Sequence, residues 1–329
     1  MKTPGLSVAL PVYNGADYLA EALDSALAQT FSDFEIVVSD NCSTDQTPAI
    51  LDDYARRDRR IRVHRADDFL AQAENVNRAV SLCQGDWVKL LCHDDLMQPR
   101  CMETLHGIIN ANGDDSVGLI GNGEAWLFAN GIRYAVEDEA ATTQRYDGRE
   151  MIRQLMNGTA SVPLPALTTA TVRKRAWEQG PKFESRFIHF DVFCWQRLLM
   201  QWNFVYVPRQ LTINRIHAAQ VAASARRSLR SVEDYRLFYK EFLKGDAVRL
   251  ELGPAALFKA RLKPLSVAAS TVMIELLKKR FANALRVIMR LPVWWWPALP
   301  VLIARNLKKE SPKIEALRHR VPTSLIYPG

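Results

Sequence analysis

Apolar positions in the first hundred residues follow two alternating rhythms. Residues 6–12 form a near-continuous apolar run of strand length, and residues 16–29 then place Leu19, Leu23, Ala26 and Leu27 on one helical face. A second strand over 35–39 ends at Asp40, followed by a helix over 48–57, a short strand over 61–64, a helix over 71–83 and a strand over 87–92. This βαβαβαβ order predicts an α/β fold with a mostly parallel central sheet, helices on both faces and functional loops at one edge. Beyond Pro99 the rhythm weakens to a helix over 102–110, a strand over 117–120 and a Gly- and acid-containing stretch to Gly148. Helices over 149–156 and 191–202 follow, with Pro163 and Pro165 between them. Past Arg215 the chain reads as helical and basic, so a boundary is expected near residue 222, dividing it into 1–222 and 223–329.

With 329 residues, 48% of them hydrophobic, the chain has enough apolar material for a substantial core. The run over 6–12 leads into Tyr13-Asn14-Gly15 rather than a small-residue cleavage site, and is expected as a first core strand rather than a signal peptide. Five cysteines without C-x-x-C spacing suggest neither a disulfide framework nor a zinc ribbon, and point to a reducing, cytoplasmic setting.

The net charge of +7 conceals an asymmetry. Residues 1–224 carry 22 Lys and Arg against 28 Asp and Glu, whereas residues 225–329 carry 21 against 8. Within the basic part, residues 291–303 hold Trp294, Trp295 and Trp296 among Pro292, Pro297 and Pro300, with Arg286, Arg290, Arg305, Lys308 and Lys309 outside. The run is too short to span a hydrocarbon core, which takes about 20 apolar residues. Indoles and cationic flanks suit a headgroup interface, so peripheral attachment to the inner face of the cell membrane is expected. The other reading is a Trp cluster packed on the domain or on a partner. The acidic main domain and the Trp-Pro run argue against nucleic acid as a partner.

Candidate chemistry sits where strands end. Asp94 and Asp95 close the apolar run Trp87-Val88-Lys89-Leu90-Leu91-Cys92-His93. Acids there belong either to a metal and phosphate site or to a capping turn. Asp40, at the end of the second strand, can accept an N-H of a nucleobase or begin an Asx turn with Ser43. Asp45 is expected to cap the helix that follows. Asp191 is either a helix N-cap or a general base, and Thr168-Thr169-Ala170-Thr171 either lines a substrate or is a strand. No P-loop, G-x-G-x-x-G or H-E-x-x-H motif is present.

Three segments in order resemble the inverting nucleotide-sugar transferases of glycosyltransferase family 2: Ser7-Val8-Ala9-Leu10-Pro11-Val12-Tyr13-Asn14-Gly15, then Leu23-Asp24-Ser25-Ala26-Leu27-Ala28-Gln29-Thr30, then Glu35-Ile36-Val37-Val38-Ser39-Asp40-Asn41-Cys42-Ser43-Thr44-Asp45. The resemblance covers residues 5–220 and leaves the tail outside. It implies a GT-A fold and sugar transfer of the hexosyltransferase type from a UDP-, GDP- or dTDP-linked donor. The acceptor it implies is a saccharide or lipid-linked saccharide of bacterial surface polysaccharide synthesis. On this resemblance Pro11, Val12, Tyr13 and Asp40 surround the nucleoside, and Asp94 meets the diphosphate. Mn²⁺ or Mg²⁺ is held by Asp94, Asp95 and His217, Arg215 reaches the diphosphate, and Asp191 is the catalytic base.

Departures from the family pattern are specific. Cys92 stands where a leading acid is usual, so the cation must rely on Asp94 or Asp95. Phe190 replaces a Glu and is expected to raise the Asp191 pKa by desolvation. Val76 replaces an Arg, with Arg78 either a substitute phosphate contact or part of a solvated helix face. These departures keep a second reading open, a non-catalytic nucleotide-sugar-binding or scaffold protein of the same fold.

Overall fold

The computed structural model describes residues 5–112, 114–128, 133–135, 142–217, 229–245, 252–265 and 281–289, with the isolated positions 250, 268, 269, 272, 300 and 303. The amino-terminal strand and helix pattern is realised as β1 (Leu6–Val12), α1 (Leu19–Leu27), β2 (Phe34–Asp40), α2 (Thr47–Arg57), β3 (Ile61–Arg65), α3 (Gln72–Leu82) and β4 (Trp87–Leu90). The two-residue side-chain period of a strand explains its layers. Leu6, Val8, Leu10 and Val12 of β1 enter a cluster with Leu19, Leu23 and Leu51, while Ala9 enters the opposite one with Val76, Val80 and Trp195.

The chain continues through β5 (Leu96–Met97), α4 (Cys101–Asn112), β6 (Val117–Phe128), β7 (Arg133–Ala135), β8 (Gln144–Tyr146) and α5 (Gly148–Asn157). A 3-10 turn at Leu167–Thr169 leads into β9 (Ala170–Arg173), α6 (Lys174–Gln179), α7 (Phe190–Leu198) and β10 (Asn203–Ile216). The sheet order is β3-β2-β1-β4-β9-β6-β10-β5, with β7 against β6 and β8 against β10. Strands β3, β2, β1 and β4 are parallel, as are β6 and β10, and β9 lies antiparallel between the two groups. This mixed α/β sheet, mostly parallel in its paired residues, agrees with the expected fold class.

Some bounds differ from the sequence pattern. The fourth strand stops at Leu90, because the chain turns at residues 92–95 with the Asp95 N-H bonded to the Cys92 carbonyl. The acids therefore sit on a turn, three and four residues beyond Leu91, whose N-H still bonds to the Ala9 carbonyl of β1. Strand β6 runs to Phe128 instead of Ile120, paired through Gly121, Asn122, Gly123 and Glu124 despite their lack of apolar alternation. Helix α7 stops at Leu198, where three-residue hydrogen bonds to Arg197 and Leu198 tighten the chain into a turn before Trp202. The chain past Arg215 is still strand through Ile216.

Among the described residues, further helices are α8 (Leu229–Lys244), α9 (Pro254–Arg261) and α10 (Phe281–Met289). Phe238, Tyr239 and Phe242 of α8, with Leu250 and Ala260, belong to the same apolar cluster as the sheet domain. The boundary expected near 222 lies outside the described residues, as does the 291–303 segment apart from Pro300 and Ile303.

Candidate active site

Parallel pairing aligns the strand ends: Val12 lies opposite Asp40, and β4 flanks β1 on the other side. The three loops that follow these strands consequently emerge together. The first two are laced by side chains. The Asn14 N-H donates to Ser43 Oγ at 2.9 Å, the Gly15 N-H to Thr47 Oγ1 at 2.9 Å, and the Ala16 N-H to Asp45 Oδ2 at 3.1 Å. Asp45 Oδ1 accepts the Thr47 N-H at 2.9 Å at the start of α2, although the N-cap position itself is Gln46. Desolvation alone would raise the Asp45 pKa, but the hydrogen bonds from Thr47 and Ala16 outweigh it and hold it below the usual range. Gly15 is required where the loops meet, since a β-carbon there would lie 2.5 Å from His93 Cδ2 and 2.7 Å from Val12 Cγ2.

Within this frame Asp40 is buried, its Oδ1 accepting the Ser43 N-H at 3.2 Å, so the Asx turn is present. Arg65 Nε stands 3.8 Å from the other carboxylate oxygen. Pro11 is half-buried, and Val12 turns its side chain into the core while its carbonyl accepts the Asn41 N-H. Tyr13 remains 45% exposed and makes an edge contact with Phe69, itself 62% exposed, at a centroid distance of 4.9 Å. Phe69 was not among the expected site residues; its one sequence signal is an aromatic in the otherwise polar stretch Asp67-Asp68-Phe69.

Arg78 fits neither expectation. Its guanidinium donates to Ser39 Oγ at 2.7 Å and to the carbonyls of His64 and Arg65 at 3.0 and 2.8 Å, clamping α3 onto the ends of β2 and β3. Asn77 ties α3 to the segment before α7 through both the N-H and the carbonyl of Phe183.

The acidic turn gathers Cys92, Asp94 and Asp95, whose ligand atoms all lie within 4.8 Å of one another. The two acids have different partners. Asp94 Oδ2 lies 3.0 Å from His217 Nε2. Asp95 Oδ1 accepts the Arg215 N-H at 2.9 Å, and its Oδ2 accepts the Thr168 hydroxyl. Burial first, and the neighbouring Asp94 charge second, push Asp95 up to about 7. For Asp94 the desolvation that would raise its pKa is outweighed by the His217 hydrogen bond and nearby His93, and the net shift is downward.

Arg215 donates through Nε to the Asp94 carbonyl at 3.0 Å and through Nη2 to Glu21 Oε2 at 2.7 Å, while its guanidinium lies 4.8 Å from the Tyr18 ring centroid. Tyr18 also contacts His217, with ring centroids 4.8 Å apart. Tyr18 and Glu21 thus join the site from α1 and the turn before it, a contribution their sequence neighbourhood does not announce.

Asp191 lies in the first turn of α7, whose N-cap is His189 rather than Asp191. Its carboxylate accepts the Val192 N-H at 2.8 Å. Phe190 packs into the core with Phe183, at a centroid distance of 5.3 Å. Burial, then the charges of Asp95, Asp94 and Asp191, drive the Cys92 thiol well above its ordinary pKa. Thr168 is neither strand nor an open substrate wall: the 3-10 turn directs its hydroxyl to Asp95, and the strand begins only at Ala170.

Residues 7–126 match the family described as Glycosyl transferase family 2. Over these residues the chain is similar to that glycosyltransferase family. It is similar to glycosyltransferase GlyG of Streptococcus pneumoniae, 29% identical over 143 residues, which cover 41% of this chain and 47% of GlyG. It spans about half the length of that relative. Among solved structures, the GT-A fold is shared with S. aureus TarS 1-349 in complex with UDP-GlcNAc, at a TM-score of 0.59 and 19% identity over 92% of this chain and 84% of that one. It is shared also with the mannosyltransferase PcManGT from Pyrobaculum calidifontis in complex with GDP-Man and Mn²⁺, at a TM-score of 0.57 and 17% identity over 93% and 81% of the two chains.

Proposed function

We propose that this protein is an inverting glycosyltransferase that moves a sugar from a nucleoside diphosphate donor to a hydroxyl of a saccharide or lipid-linked saccharide. The observation that carries the reading is that the Asp40 turn and the Asp94-Asp95 turn follow the two strands that flank β1, at one sheet edge, and Asp191 is assigned to them from its place at the start of α7. Asp40 and the exposed Tyr13 ring, beside Pro11 and the Val12 backbone, receive the base and ribose.

The donor set fits a hard divalent cation. Two adjacent carboxylates repel one another there, a hard cation prefers oxygen, and the neighbouring thiol stays protonated. Asp94 would hold Mn²⁺ or Mg²⁺, with Asp95 and His217 adjoining it. Such an ion supplies charge neutralisation for the departing diphosphate. Asp191 takes the proton of the acceptor hydroxyl as its oxygen bonds to the anomeric carbon, and the bond to the diphosphate oxygen breaks with its electron pair leaving on the nucleoside diphosphate. Displacement from the opposite face inverts the anomeric centre. Arg215 reaches the diphosphate only by exchanging its Glu21 partner for a phosphate oxygen.

Transfer from UDP-, GDP- and dTDP-sugars, assayed with Mn²⁺ and by NMR of the product anomer, tests this reading. A retained anomeric configuration overturns the inverting step. A second reading, a nucleotide-sugar-binding protein without turnover, is favoured by Cys92 in the leading acid position. It predicts nucleotide binding with neither transfer nor donor hydrolysis.

The same proposal places the protein peripherally on the inner face of the membrane. Among the described residues no helix is long and apolar enough to cross a bilayer. Helix α10 nevertheless presents Phe281, Leu285 and Met289, four residues apart, at 66, 58 and 67% exposure. This apolar stripe leads into the Trp-rich segment within the basic part of the sequence.

A further inference from the structure

Lys89 is a fully buried lysine in the middle of the sheet. Its ammonium donates to two neutral acceptors, Asn122 Oδ1 at 2.9 Å and the Thr168 carbonyl at 2.5 Å. Burying a charge costs free energy that an apolar side chain at the same core position would avoid. Stability of the fold therefore does not explain it, and its partners indicate what it holds.

The Thr168 carbonyl belongs to the 3-10 turn whose hydroxyl accepts the Cys92 N-H at 3.1 Å and donates to Asp95. Asn122 donates in turn to Thr212 Oγ1 at 3.1 Å and to the Gly123 carbonyl at 2.8 Å. Thr212 lies three residues before Arg215, whose backbone N-H secures the other oxygen of Asp95. One ammonium thus joins β4, β6, β10 and the 167–169 turn beneath the acidic loop. Both anchors of Asp95 depend on elements that meet at Lys89.

We propose that Lys89 is a positioning residue of the donor site: by locking the Thr168 turn it keeps both oxygens of Asp95 bonded to the protein and leaves Asp94 to face the donor diphosphate. This inference rests on the donor-site reading above. Lys89 touches no substrate; it acts through Thr168.

Isothermal titration of the full chain with UDP, GDP and dTDP, each with and without Mn²⁺, tests it alongside thermal melting by circular dichroism. Lys89→Met should keep the metal-free nucleotide affinity and lose about tenfold of the metal-dependent gain, the scale of outer partners of a metal site. Thr168→Val should lose the same gain, Thr168→Ser should restore it, and the Lys89→Met/Thr168→Val double variant should lose no more than either single one. An unchanged gain in Thr168→Val, or additive losses in the double variant, overturns the proposal; Thr168→Val decides the matter if Lys89→Met does not fold. A parent chain without any metal-dependent gain overturns the donor-site reading itself, and this inference with it.

Discussion

Adjacent acids on one turn have been given different tasks by their partners. Asp95 has a fixed donor on each oxygen, whereas Asp94 shares one with an imidazole near the surface. Asp94→Ala should therefore remove the Mn²⁺ dependence of nucleotide binding, read by thermal shift. Asp191→Asn should leave nucleotide binding intact and lower turnover by about 10² to 10⁴, the usual contribution of a general base. Lys89 makes a stability prediction of its own. Burial depresses its pKa from 10.5 to about 8, so the unfolded chain binds a proton that the folded chain releases between these values. The contribution of Lys89 to stability therefore rises as pH climbs from about 8 to 10.5 and is level below that window, against the opposite contribution of the buried Cys83 and Cys101 thiols, which burial pushes up. The Lys89 contribution is about 3 kcal/mol, and denaturant titrations should show it as the difference in pH slope between the parent and Lys89→Met.

Elements legible in the sequence were those whose burial leaves a simple pattern. Strands β1 and β2 are short runs buried on both faces, helices α1 to α3 each bury one face, and their bounds fall within a few residues of the pattern. Strand β6 was cut short because Asn122 and Glu124 carry hydrogen bonds to Lys89 and Asn214 where alternation leads one to expect core residues. The acids at 40, 94, 95 and 191 stood out through their positions after strands or at a helix start. Thr168, Tyr18, Glu21 and Phe69 did not, since each acquires its role from a partner distant in sequence. The helix carrying Asp191 shows a dependence of the same kind. Its entry is held by Asp234, which accepts the Ile188 N-H at 2.6 Å, and by Ser231, 2.6 Å from His189. Phe238 stacks on Phe193 at 4.1 Å. Phe238→Ala should cost about 3 to 5 kcal/mol in denaturant unfolding. Glu241→Gln, which weakens the more exposed Arg186 and Arg197 ion pairs, should cost about 1 kcal/mol or less.

For the molecule as a whole, charge divides the sequence: an acidic part holds the proposed donor-site groups, and a basic part follows it. Flotation with anionic and with neutral vesicles tests the membrane reading. Binding to anionic vesicles should vanish on removal of residues 285–310, and binding that survives the deletion refutes that segment as the anchor. Truncation at 222 should abolish activity for a separate reason, because it removes Ser231, Asp234 and Phe238 from beneath α7. The packing of α8 has a mechanical corollary. Val232 on α8 shares a cluster with Ala284 and Val287 of α10, while Phe238 on the same helix shares one with Phe193 of α7. If α10 grips a membrane surface as proposed, that surface is coupled to Asp191 by a strut rather than a leash, and the depth at which an acceptor would be reached is set by an angle.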